Sequence, residues 1–462
     1  MTAKPALTAD VIDWGGPKRA SGQPFAPTEY GAAESFVGAY GDRVRFDFRR
    51  RAWLVWQGYR WRLDPDEEVR RLLVEHVRRE QQRALALTDT FEKNKAITHW
   101  IRFDRRGAQD NLLALAATIK PVATAGDTWD ADPMLLGVEN GVVELRTGLL
   151  RPGRPEDLIT LSAGVPFDPV ATCPRWAQFL SEIFAGDVEL VTWMQTFCGY
   201  LLTGDVSEQM FVIAWGAGAN GKSTCFSTLA SVFGSYAYNL PFSAFELHQR
   251  GAIPNDLAAL VHRRFVTASE SGESTRLNES RLKMLTGGDT VTARFLHGEF
   301  FEFRPVAKFV LFTNSKPTVR DDSLGMWRRI RLVPFTQTFA INRSLGSALA
   351  TEGPGILRWA IEGCLRWQQD GLTIPAAVQA ATREYQADSD HLAQFLAGAC
   401  VVGPTESCRA GELFKAYKGW CDSEDLSPRE RFNQRRFGEK LKTRFDSVQD
   451  SKGWQYIGVG LR

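Results

Sequence analysis

Residues Phe211–Thr224 read FVIAWGAGANGKST, and this stretch decides the fold. Its first five residues are an apolar run that predicts a buried strand, and a helix is expected from about Gly221. Gly216, Gly221, Lys222 and Ser223 fit the spacing GxxxxGK[ST]. In this motif, glycines let backbone N–H groups turn toward phosphate oxygens. The stretch therefore predicts a strand, a phosphate-binding loop and a helix, the beginning of an α/β nucleotide-binding core.

The residues of this loop have separate predicted roles. The helix N-terminus adds partial positive charge, Lys222 reaches the β- and γ-phosphates, and Ser223 can bind Mg²⁺. ATP and Mg²⁺ are therefore the expected cofactors. The residues predicted to bind the nucleotide are Gly216, Ala217, Gly218, Ala219, Asn220, Gly221, Lys222, Ser223 and Thr224.

Length and composition limit the classes of protein to which the chain can belong. A chain of 462 residues, 44% hydrophobic and 24% charged, is expected to form about three domains. The net charge is only +2, so a surface for nucleic acid must come from local clusters of Lys and Arg. No apolar run approaches the length of a membrane span and the N-terminus lacks a signal-peptide pattern, which predicts a cytosolic protein without a membrane partner.

The seven cysteines form no CxxC pair, and we expect them to be reduced and buried. An alternative is a zinc site built from His391, Cys400, Cys408 and Cys421, although these residues match no usual ligand spacing.

The N-terminal part is expected to hold an arm and a small sheet. Residues 1–27 are rich in Pro, Ala and Gly and predict a flexible arm. Residues 44–63 alternate apolar and polar residues and predict a β-meander. Trp53, Trp56 and Trp61 could stack on bases, but we favour the core of the sheet because each indole buries a large area.

Asp130 and Asp132 form a DxD pair, a spacing that could hold metal ions for nucleotidyl transfer. The competing interpretation is a turn ahead of a hairpin, in which Asn140-Gly141 supplies a two-residue loop. We favour the turn because no second carboxylate cluster is evident nearby. Primase chemistry is therefore not supported in this half of the chain.

Two polar residues end further predicted strands of the core. Glu270 ends the run 263–270, where a Walker-B carboxylate belongs, and would bind Mg²⁺ through water or polarise the attacking water. Asn314 ends the run 308–314 and is placed to sense the γ-phosphate or its water. Together with Lys222, they are the predicted catalytic residues of this half of the site.

Two more segments complete the predicted core. Residues 282–303 end a helix at a glycine pair and then alternate on both sides of a short turn, which predicts a hairpin. Arg328 and Arg329 precede the last strand. An arginine there can stabilise charge on the phosphate of a neighbouring subunit, an effect of about 10³ to 10⁵ in rate where one is used. A basic surface pair is the alternative.

The C-terminal residues predict a separate basic domain. Residues 429–444 carry seven basic side chains against two acidic ones, and residues 447–462 alternate like a β-wing. Helix, helix and wing predict a winged helix whose 433–442 helix enters a DNA groove; a solvated basic helix is the alternative. The predicted DNA contacts are Arg431, Arg435, Arg436, Lys440 and Lys442.

Five segments in this order resemble a superfamily 3 helicase of the AAA+ class: GAGANGKST (216–224), FVTASE (265–270), KMLTGGDTVTAR (283–294), LFTNSKP (311–317) and WRRIRLVPF (327–335). The chain is similar to the helicase part of phage, plasmid and large-DNA-virus primase-helicases. Upstream, WLVWQGYRW (53–61) and DADPMLLGVENGVVELRTG (130–148) resemble the domain that precedes the motor in those proteins.

The resemblance implies a homohexameric ring that hydrolyses ATP between subunits and moves on single-stranded and forked DNA. The implied roles are the phosphate-loop pair for Lys222 and Ser223, the Walker-B acid for Glu270, the sensor for Asn314, and the residue acting in trans for Arg328 or Arg329.

The hairpin segment matches the one that grips DNA in the central channel of the family, with a departure at its tip. The family usually carries a strong base there, whereas this tip offers His297, with Arg294 lower down. A histidine near its unperturbed pKa of about 6.5 is mostly neutral, so we expect the grip to depend on Arg294, backbone N–H groups or hydrogen bonds. Relatives often carry a primase domain ahead of this region, and this chain is expected to start too late for one. A separate primase or other replication proteins are therefore expected partners.

These observations predict an α/β fold: an AAA+ P-loop motor with an α+β N-terminal domain and a C-terminal winged-helix domain. The predicted divisions are an arm at 1–27, the N-terminal domain at 28–170, the superfamily 3 AAA+ core at 171–345, a helical linker at 346–390 and the winged-helix-like domain at 391–462. The expected function is an ATP-dependent replicative DNA helicase of a phage, satellite or plasmid, acting in the cytosol of a bacterial host. The alternative is an ATP-dependent initiator or loader that binds or melts origin DNA without processive unwinding.

Overall fold

The computed structural model describes residues 25–245, 255–269, 277–294, 300–319, 321, 323–424, 426, 431–451 and 453–462. Over these residues the chain is a mixed α/β protein with a five-stranded parallel sheet in its central part. Most of the predicted arm lies outside the described residues.

The N-terminal part combines four helices with two small sheets. The helices are Glu29–Tyr40 (α1), Glu68–Leu85 (α2), Thr90–Ile101 (α3) and Arg106–Ala116 (α4). The strands are Val44–Asp47 (β1), Ala52–Trp56 (β2), Trp61–Leu63 (β3), Ala123–Thr124 (β4), Leu135–Val138 (β5), Gly141–Glu144 (β6) and Leu149–Arg151 (β7). The first sheet has the order β3-β2-β1-β4 and the second the order β5-β6-β7. Buried side chains of α1 to α4 pack on the first sheet in one core.

The predicted meander is present, and Trp61 is fully buried against Trp129. Trp53 and Trp56 are half-buried and pack on Phe46 and Trp61. The core interpretation of these tryptophans is thus confirmed. The hairpin turn differs by one residue from the prediction: Val138 pairs with Gly141, so Glu139 and Asn140 form the loop.

The central part holds the parallel sheet and the helices on both of its faces. The helices are Pro174–Ile183 (α5), Val188–Leu202 (α6), Lys222–Phe233 (α7), Asn255–Ala258 (α8), Glu279–Thr286 (α9), Leu324–Trp327 (α10), Leu345–Thr351 (α11), Gly353–Asp370 (α12) and Ala376–Asp388 (α13). The strands are Phe211–Trp215 (β8), Ala237–Pro241 (β9), Phe265–Ser269 (β10), Val291–Arg294 (β11), Phe300–Phe303 (β12), Lys308–Thr313 (β13) and Ile330–Pro334 (β14). The sheet order is β14-β8-β13-β10-β9, with every neighbouring pair parallel.

Both faces of this sheet are buried. Along β8, Val212 and Ala214 belong to one hydrophobic core, while Phe211 and Ile213 belong to another. A strand whose successive side chains all enter a core reads as a continuous apolar run. This explains why FVIAW shows no polar alternation.

Residues 346–390, predicted as a helical linker, are mostly helical and pack on the central part. Helix α12 crosses α6 so closely that a Cβ added at Gly199 would lie 1.9 Å from the backbone nitrogen of Cys364. Helix α13 lies along β14, where the Thr382 hydroxyl accepts a hydrogen bond of 3.0 Å from the Leu332 N–H.

The C-terminal part is a small unit with its own core. Its elements are His391–Ala399 (α14), Cys400–Arg409 (β15), Ala410–Ser423 (α15), Gln434–Lys442 (α16), Asp446–Asp450 (β16) and Gly453–Leu461 (β17). Both predicted helices and the alternating strands are present. The long strand β15 was not predicted, and it pairs with β17 to complete a three-stranded sheet of order β15-β17-β16.

Candidate functional site

The phosphate loop connects β8 to α7 and leaves the helix N-terminus open. Gly218 and Gly221 have φ angles of +108° and +84°, values that residues with a side chain rarely adopt. Gly221 is the N-cap of α7 and supplies no side-chain hydrogen bond to it. Because the first-turn N–H groups of a helix lack intrahelical partners, this end of α7 can accept an anion.

Hydrogen bonds join the segment that follows β14 to the phosphate loop. The Phe335 N–H donates to the Trp215 carbonyl at 2.8 Å, and the Phe339 N–H donates to the Ala219 carbonyl at 2.8 Å. The buried Asn220 amide donates to the Phe335 carbonyl at 3.2 Å. A Cβ added at Gly216 would lie 2.2 Å from the same carbonyl. These contacts were not predicted from the sequence, and the residues after β14 carry no motif that would have revealed them.

Lys222 is buried beneath the loop, with 5% of its surface exposed. Its ammonium donates to the Gly216 carbonyl at 2.6 Å and to Oδ1 of Asn314 at 3.2 Å. Burial lowers the pKa of Lys222 from 10.5 to about 8. The negative charge of a phosphate would strongly stabilise this buried ammonium, which is held by two neutral oxygens, because opposite charge favours its protonated form.

Asn314 reaches Lys222 because β13 lies between β8 and β10 in the sheet. It directly follows β13, whose Thr313 pairs with Trp215 at the end of β8. Glu270 directly follows β10 in the sequence but lies outside the described residues, as do its neighbours 271–276.

The residues at the loop fit a magnesium ion that is bound mainly through phosphate oxygens. Ser223 is exposed in the first turn of α7. Among the described residues, no group of three or more His, Cys, Asp or Glu could hold a metal ion by itself. Mg²⁺ usually binds through one or two protein ligands together with substrate phosphates, and Ser223 with Glu270 would supply such ligands. Nor do the described residues His391, Cys400, Cys408 and Cys421 form such a group, so the zinc alternative finds no support.

A cavity of about 530 Å³ adjoins the loop. Its walls include Phe179, Ile183, Ala219, Phe339 and Ile341. Arg175, Glu182, Thr224 and Asn342 line it as well. Its volume lies within the range of ligand pockets, so it would accommodate the nucleoside of a nucleotide bound at the loop.

Arg328 and Arg329 lie at the N-terminal ends of the parallel strands, whereas the phosphate loop lies at their C-terminal ends. Both directly precede β14, which runs parallel to β8 with Ile330 paired to Phe211. The five residues of β8 therefore separate the arginines from the loop by about 17 Å. Both guanidiniums donate to Oε1 of Gln209, at 2.8 Å from Arg328 and 3.3 Å from Arg329. Arg328 is exposed, whereas Arg329 is half-buried and also donates to the Gly325 carbonyl.

The predicted hairpin is present as the antiparallel pair β11 and β12, in which Arg294 pairs with Phe300. The Arg294 guanidinium lies over the Phe300 ring, 5.2 Å from its centroid. Phe300 is 60% exposed. The tip with His297, residues 295–299, lies outside the described residues.

The predicted basic helix is α16, capped by the Asn433 side chain. Arg435 is exposed and pairs with Glu439 at 2.9 Å. The Lys442 ammonium lies 3.9 Å from the centre of the Trp454 ring, and Arg436 and Lys440 lie over Phe432. Arg431 precedes the helix and pairs with Asp422.

The DxD pair is part of a turn, as favoured from the sequence. Asp130 accepts hydrogen bonds from the N–H groups of Thr160 at 2.8 Å and Leu161 at 3.2 Å. Asp132 accepts one from the Met134 N–H at 2.8 Å and pairs with Arg146. Both carboxylates are therefore engaged in local structure.

Two family models match the chain. The model described as "D5 N terminal like" matches residues 33–185. The model described as "Family of unknown function (DUF5906)" matches residues 214–329, which contain the phosphate loop, Asn314 and both arginines.

Several relatives come from large DNA viruses. "Putative helicase L207/L206" of Acanthamoeba polyphaga mimivirus is 28% identical over 294 residues, 58% of this chain and 30% of that protein. "Putative helicase 022R" of Frog virus 3 is 24% identical over 405 residues, 68% of this chain and 41% of that protein. "Putative primase C962R" of African swine fever virus is 27% identical over 212 residues, 44% of this chain and 22% of that protein. The chain thus spans less than half the length of these relatives.

A solved apo structure of the NrS-1 C-terminal region aligns with 94% of this chain and 99% of that chain, at 12% identity and a TM-score of 0.47. No helix among the described residues has both the length and the apolar character that crossing a lipid bilayer requires.

Proposed function

We propose that the chain, as a member of the primase-helicase family of these viral proteins, is an ATP-dependent replicative DNA helicase. It acts as a ring, a homohexamer of superfamily 3 AAA+ motors, on single-stranded and forked DNA. Its setting is the replication of a phage, satellite or plasmid. Lys222, Glu270 and Asn314 serve one half of the ATP site, with Ser223 and Glu270 as ligands of Mg²⁺.

One observation carries the proposal: the candidate groups for ATP hydrolysis are divided between opposite ends of the parallel strands. Lys222 and Asn314 meet at the C-terminal ends, and Arg328 lies exposed at the N-terminal ends. A guanidinium about 17 Å away along the strands does not reach the phosphates of its own chain. It can reach those of a neighbouring copy, and an ATP site shared between subunits closes into a ring when the contact repeats.

The C-terminal unit supports the DNA-binding part of the proposal. Its order of helix, strand, helix, helix, strand and strand is compatible with a winged helix, in which α16 would be the helix that enters a groove. In this role Arg435, Arg436, Lys440 and Lys442 contact phosphates or bases. The same unit favours the second candidate, an ATP-dependent initiator or loader that binds or melts origin DNA without processive unwinding.

Mass measurement with and without ATP and DNA, followed by a strand-displacement assay on forked DNA, tests the proposal. Six-fold assembly with DNA-stimulated ATP hydrolysis and displacement is the expected result, and Lys222→Ala removes hydrolysis and displacement together. Full hydrolysis by a monomer that ignores DNA would show that the helicase assignment is wrong. Six-fold assembly with tight sequence-specific binding and no displacement would favour the initiator.

A further inference from the structure

A basic cleft of about 450 Å³ lies between the first N-terminal sheet and the central part. Its walls come from both turns of the β1–β3 meander, from the residues just before β10 and from the hairpin strand β12. The charged or titratable residues among those that line it are Arg49, Arg50, Arg60, Arg62, His262 and Arg263. None of the described lining residues is an aspartate or a glutamate.

Some of these arginines are held by contacts within the chain. Arg62 pairs with Glu68 at 3.5 Å, and Arg50 lies 3.6 Å from the buried carboxylate of Asp47. Arg263 donates to the Ser235 carbonyl. The charge of Arg50 and Arg62 is thus partly offset by carboxylates outside the lining.

Arg49 and Arg60 contribute charge that no carboxylate of the lining offsets. Arg49 is exposed. The Arg60 guanidinium lies 5.4 Å from the centre of the Tyr59 ring, and its Nε donates to the Gln57 side chain at 3.4 Å. A second groove along α2 also holds arginines, but Asp66, Glu67 and Glu75 line it too. The cleft at the meander therefore carries the more one-sided positive charge.

The spacing of the arginines suits an extended polyanion. Arg49 precedes β2 and Arg60 follows it, and the five residues of this strand span about 17 Å. A single compact anion does not bridge that distance, whereas successive phosphates of a nucleic-acid strand do.

The cleft adjoins the hairpin. Phe301 lines it and pairs with Ala293, one residue from the pair of Arg294 with Phe300. Successive side chains of a strand point to opposite faces, so Arg294 and the exposed Phe300 ring lie on the other face of the hairpin from Phe301. A DNA strand that contacts Arg294 and Phe300 would therefore pass around β12 to enter the cleft. His262 in the cleft wall has a φ angle of +61°, and strained backbone of this kind concentrates at binding and catalytic sites.

We propose that this cleft binds the sugar-phosphate backbone of the single DNA strand that passes the hairpin. Arg49 and Arg60 contact separate phosphates, and the N-terminal sheet thereby takes part in DNA binding together with the central part. This inference rests on the proposed DNA helicase function.

The test compares two double variants of the full chain, Arg49→Ala with Arg60→Ala and, as the matched control, Arg105→Ala with Arg106→Ala. The control arginines are exposed in the same N-terminal part and lie outside the cleft. The affinity for a fluorescent single-stranded oligodeoxythymidine is measured at several salt concentrations with a non-hydrolysable ATP analogue present. Each lost phosphate contact lowers the slope of log affinity against log salt by about 0.7. The cleft variant is therefore expected to lose about 1.4 in slope and about 25-fold in affinity near 0.1 M salt.

The control is expected to bind DNA within about twofold of the unmodified chain, and both variants are expected to keep its DNA-free ATP hydrolysis. Equal losses in the two double variants, or an unchanged slope in the cleft variant, would overturn the cleft assignment while leaving the helicase proposal intact. Displacement of the oligonucleotide by polyglutamate as readily as by unlabelled DNA would point to an acidic protein partner and overturn it as well. An unmodified chain that neither binds the oligonucleotide nor shows DNA-stimulated hydrolysis would overturn both proposals.

Discussion

The ammonium of Lys222 lies 3.2 Å from Oδ1 of Asn314, although 92 positions separate the two residues in the chain. The Gly216 carbonyl completes the contacts of this cation at 2.6 Å. Under the proposed function, phosphate oxygens that enter the loop would compete for the same ammonium, and the Asn314 amide would then become free to bind the γ-phosphate or its water. The contact would thus couple the arrival of a nucleotide to the side chain expected to sense it.

Asn314→Ala is expected to lower kcat for ATP hydrolysis by about 10² to 10³, the usual effect of removing one polar group that stabilises a transition state. The KM for ATP should change little, because the loop and Lys222 remain. Steady-state kinetics in the presence of DNA checks this, with the exposed Asn94→Ala on α3 as the control. Hydrolysis at the unmodified rate would contradict the sensor role.

ATP binding is expected to take up a proton above pH 8. Burial lowers the pKa of free Lys222 to about 8, and bound phosphates raise it again because opposite charge favours the ammonium. At a pH between the pKa values of Lys222 in the free and the ATP-bound protein, the binding of each ATP therefore adds one proton to Lys222. The affinity for ATP falls as the pH rises through this range, by up to about tenfold per pH unit. Calorimetry at pH 8.5 in buffers of different ionisation enthalpy measures the uptake. A binding heat that is independent of the buffer would refute the coupling.

Subunits with Lys222→Ala and subunits with Arg328→Ala are each expected to be inactive, the second through a loss of about 10³ to 10⁵ in rate. Mixing the two should restore part of the hydrolysis. In a mixed ring, some interfaces join an intact loop from one subunit to an intact arginine from its neighbour. Titrating one variant into the other measures the recovered ATP hydrolysis. In the control, the same amount of protein is added as the variant already present, so that every ring contains a single variant. No recovery at any ratio would argue that each chain hydrolyses ATP alone.

Gly199→Ala is expected to destabilise the central part by about 1 to 3 kcal/mol or more, because overpacking a close contact costs this much. The added methyl group meets the backbone of α12 at 1.9 Å. Gly419→Ala, in the middle of α15 and with open space around it, is the matched control and should gain up to about 1 kcal/mol from helix propensity. Urea unfolding compares the two variants. Equal midpoints would show that α6 and α12 are less tightly packed than the distances indicate.

Arg294→Ala is expected to weaken single-stranded DNA binding more than His297→Ala does. A guanidinium is always charged and pairs well with phosphate, whereas a histidine near pH 7.5 is mostly neutral. Removing Arg294 should also lower the salt slope by about 0.7, as for one phosphate contact. Fluorescence anisotropy with labelled DNA measures both quantities. Equal or reversed losses would show that the grip lies nearer the tip than Arg294.

Local patterns predicted most of the secondary structure but not all of it. The phosphate loop, the hairpin β11–β12 and the alternating C-terminal strands each follow from neighbouring residues with a clear period or motif. The elements missed include the helices α1 and α3 and the strands β9 and β15. Strand β15 contains Gly403 and Pro404, which usually interrupt a strand, and its register with β17 shifts between Val402 and Ser407. The pairing with β17 outweighs these residues.

The amino-acid sequence by itself determined the phosphate-loop motif and so predicted the kind of ligand, because this motif needs only a short run of glycines followed by lysine and serine at the start of a helix. It also determined which residues are candidates for hydrolysis, through the polar side chains that end apolar strands. Only the tertiary structure decided which candidates meet. The strand order β14-β8-β13-β10-β9 brings Asn314 to Lys222, and the parallel pairing of β14 with β8 keeps Arg328 at the other end of the strands. The packing of the first N-terminal sheet on the central part places Arg49 and Arg60 around one cleft with Phe301 of the hairpin. Strand order depends on how crossover helices pack on both faces of the sheet, and that packing joins residues far apart in the chain.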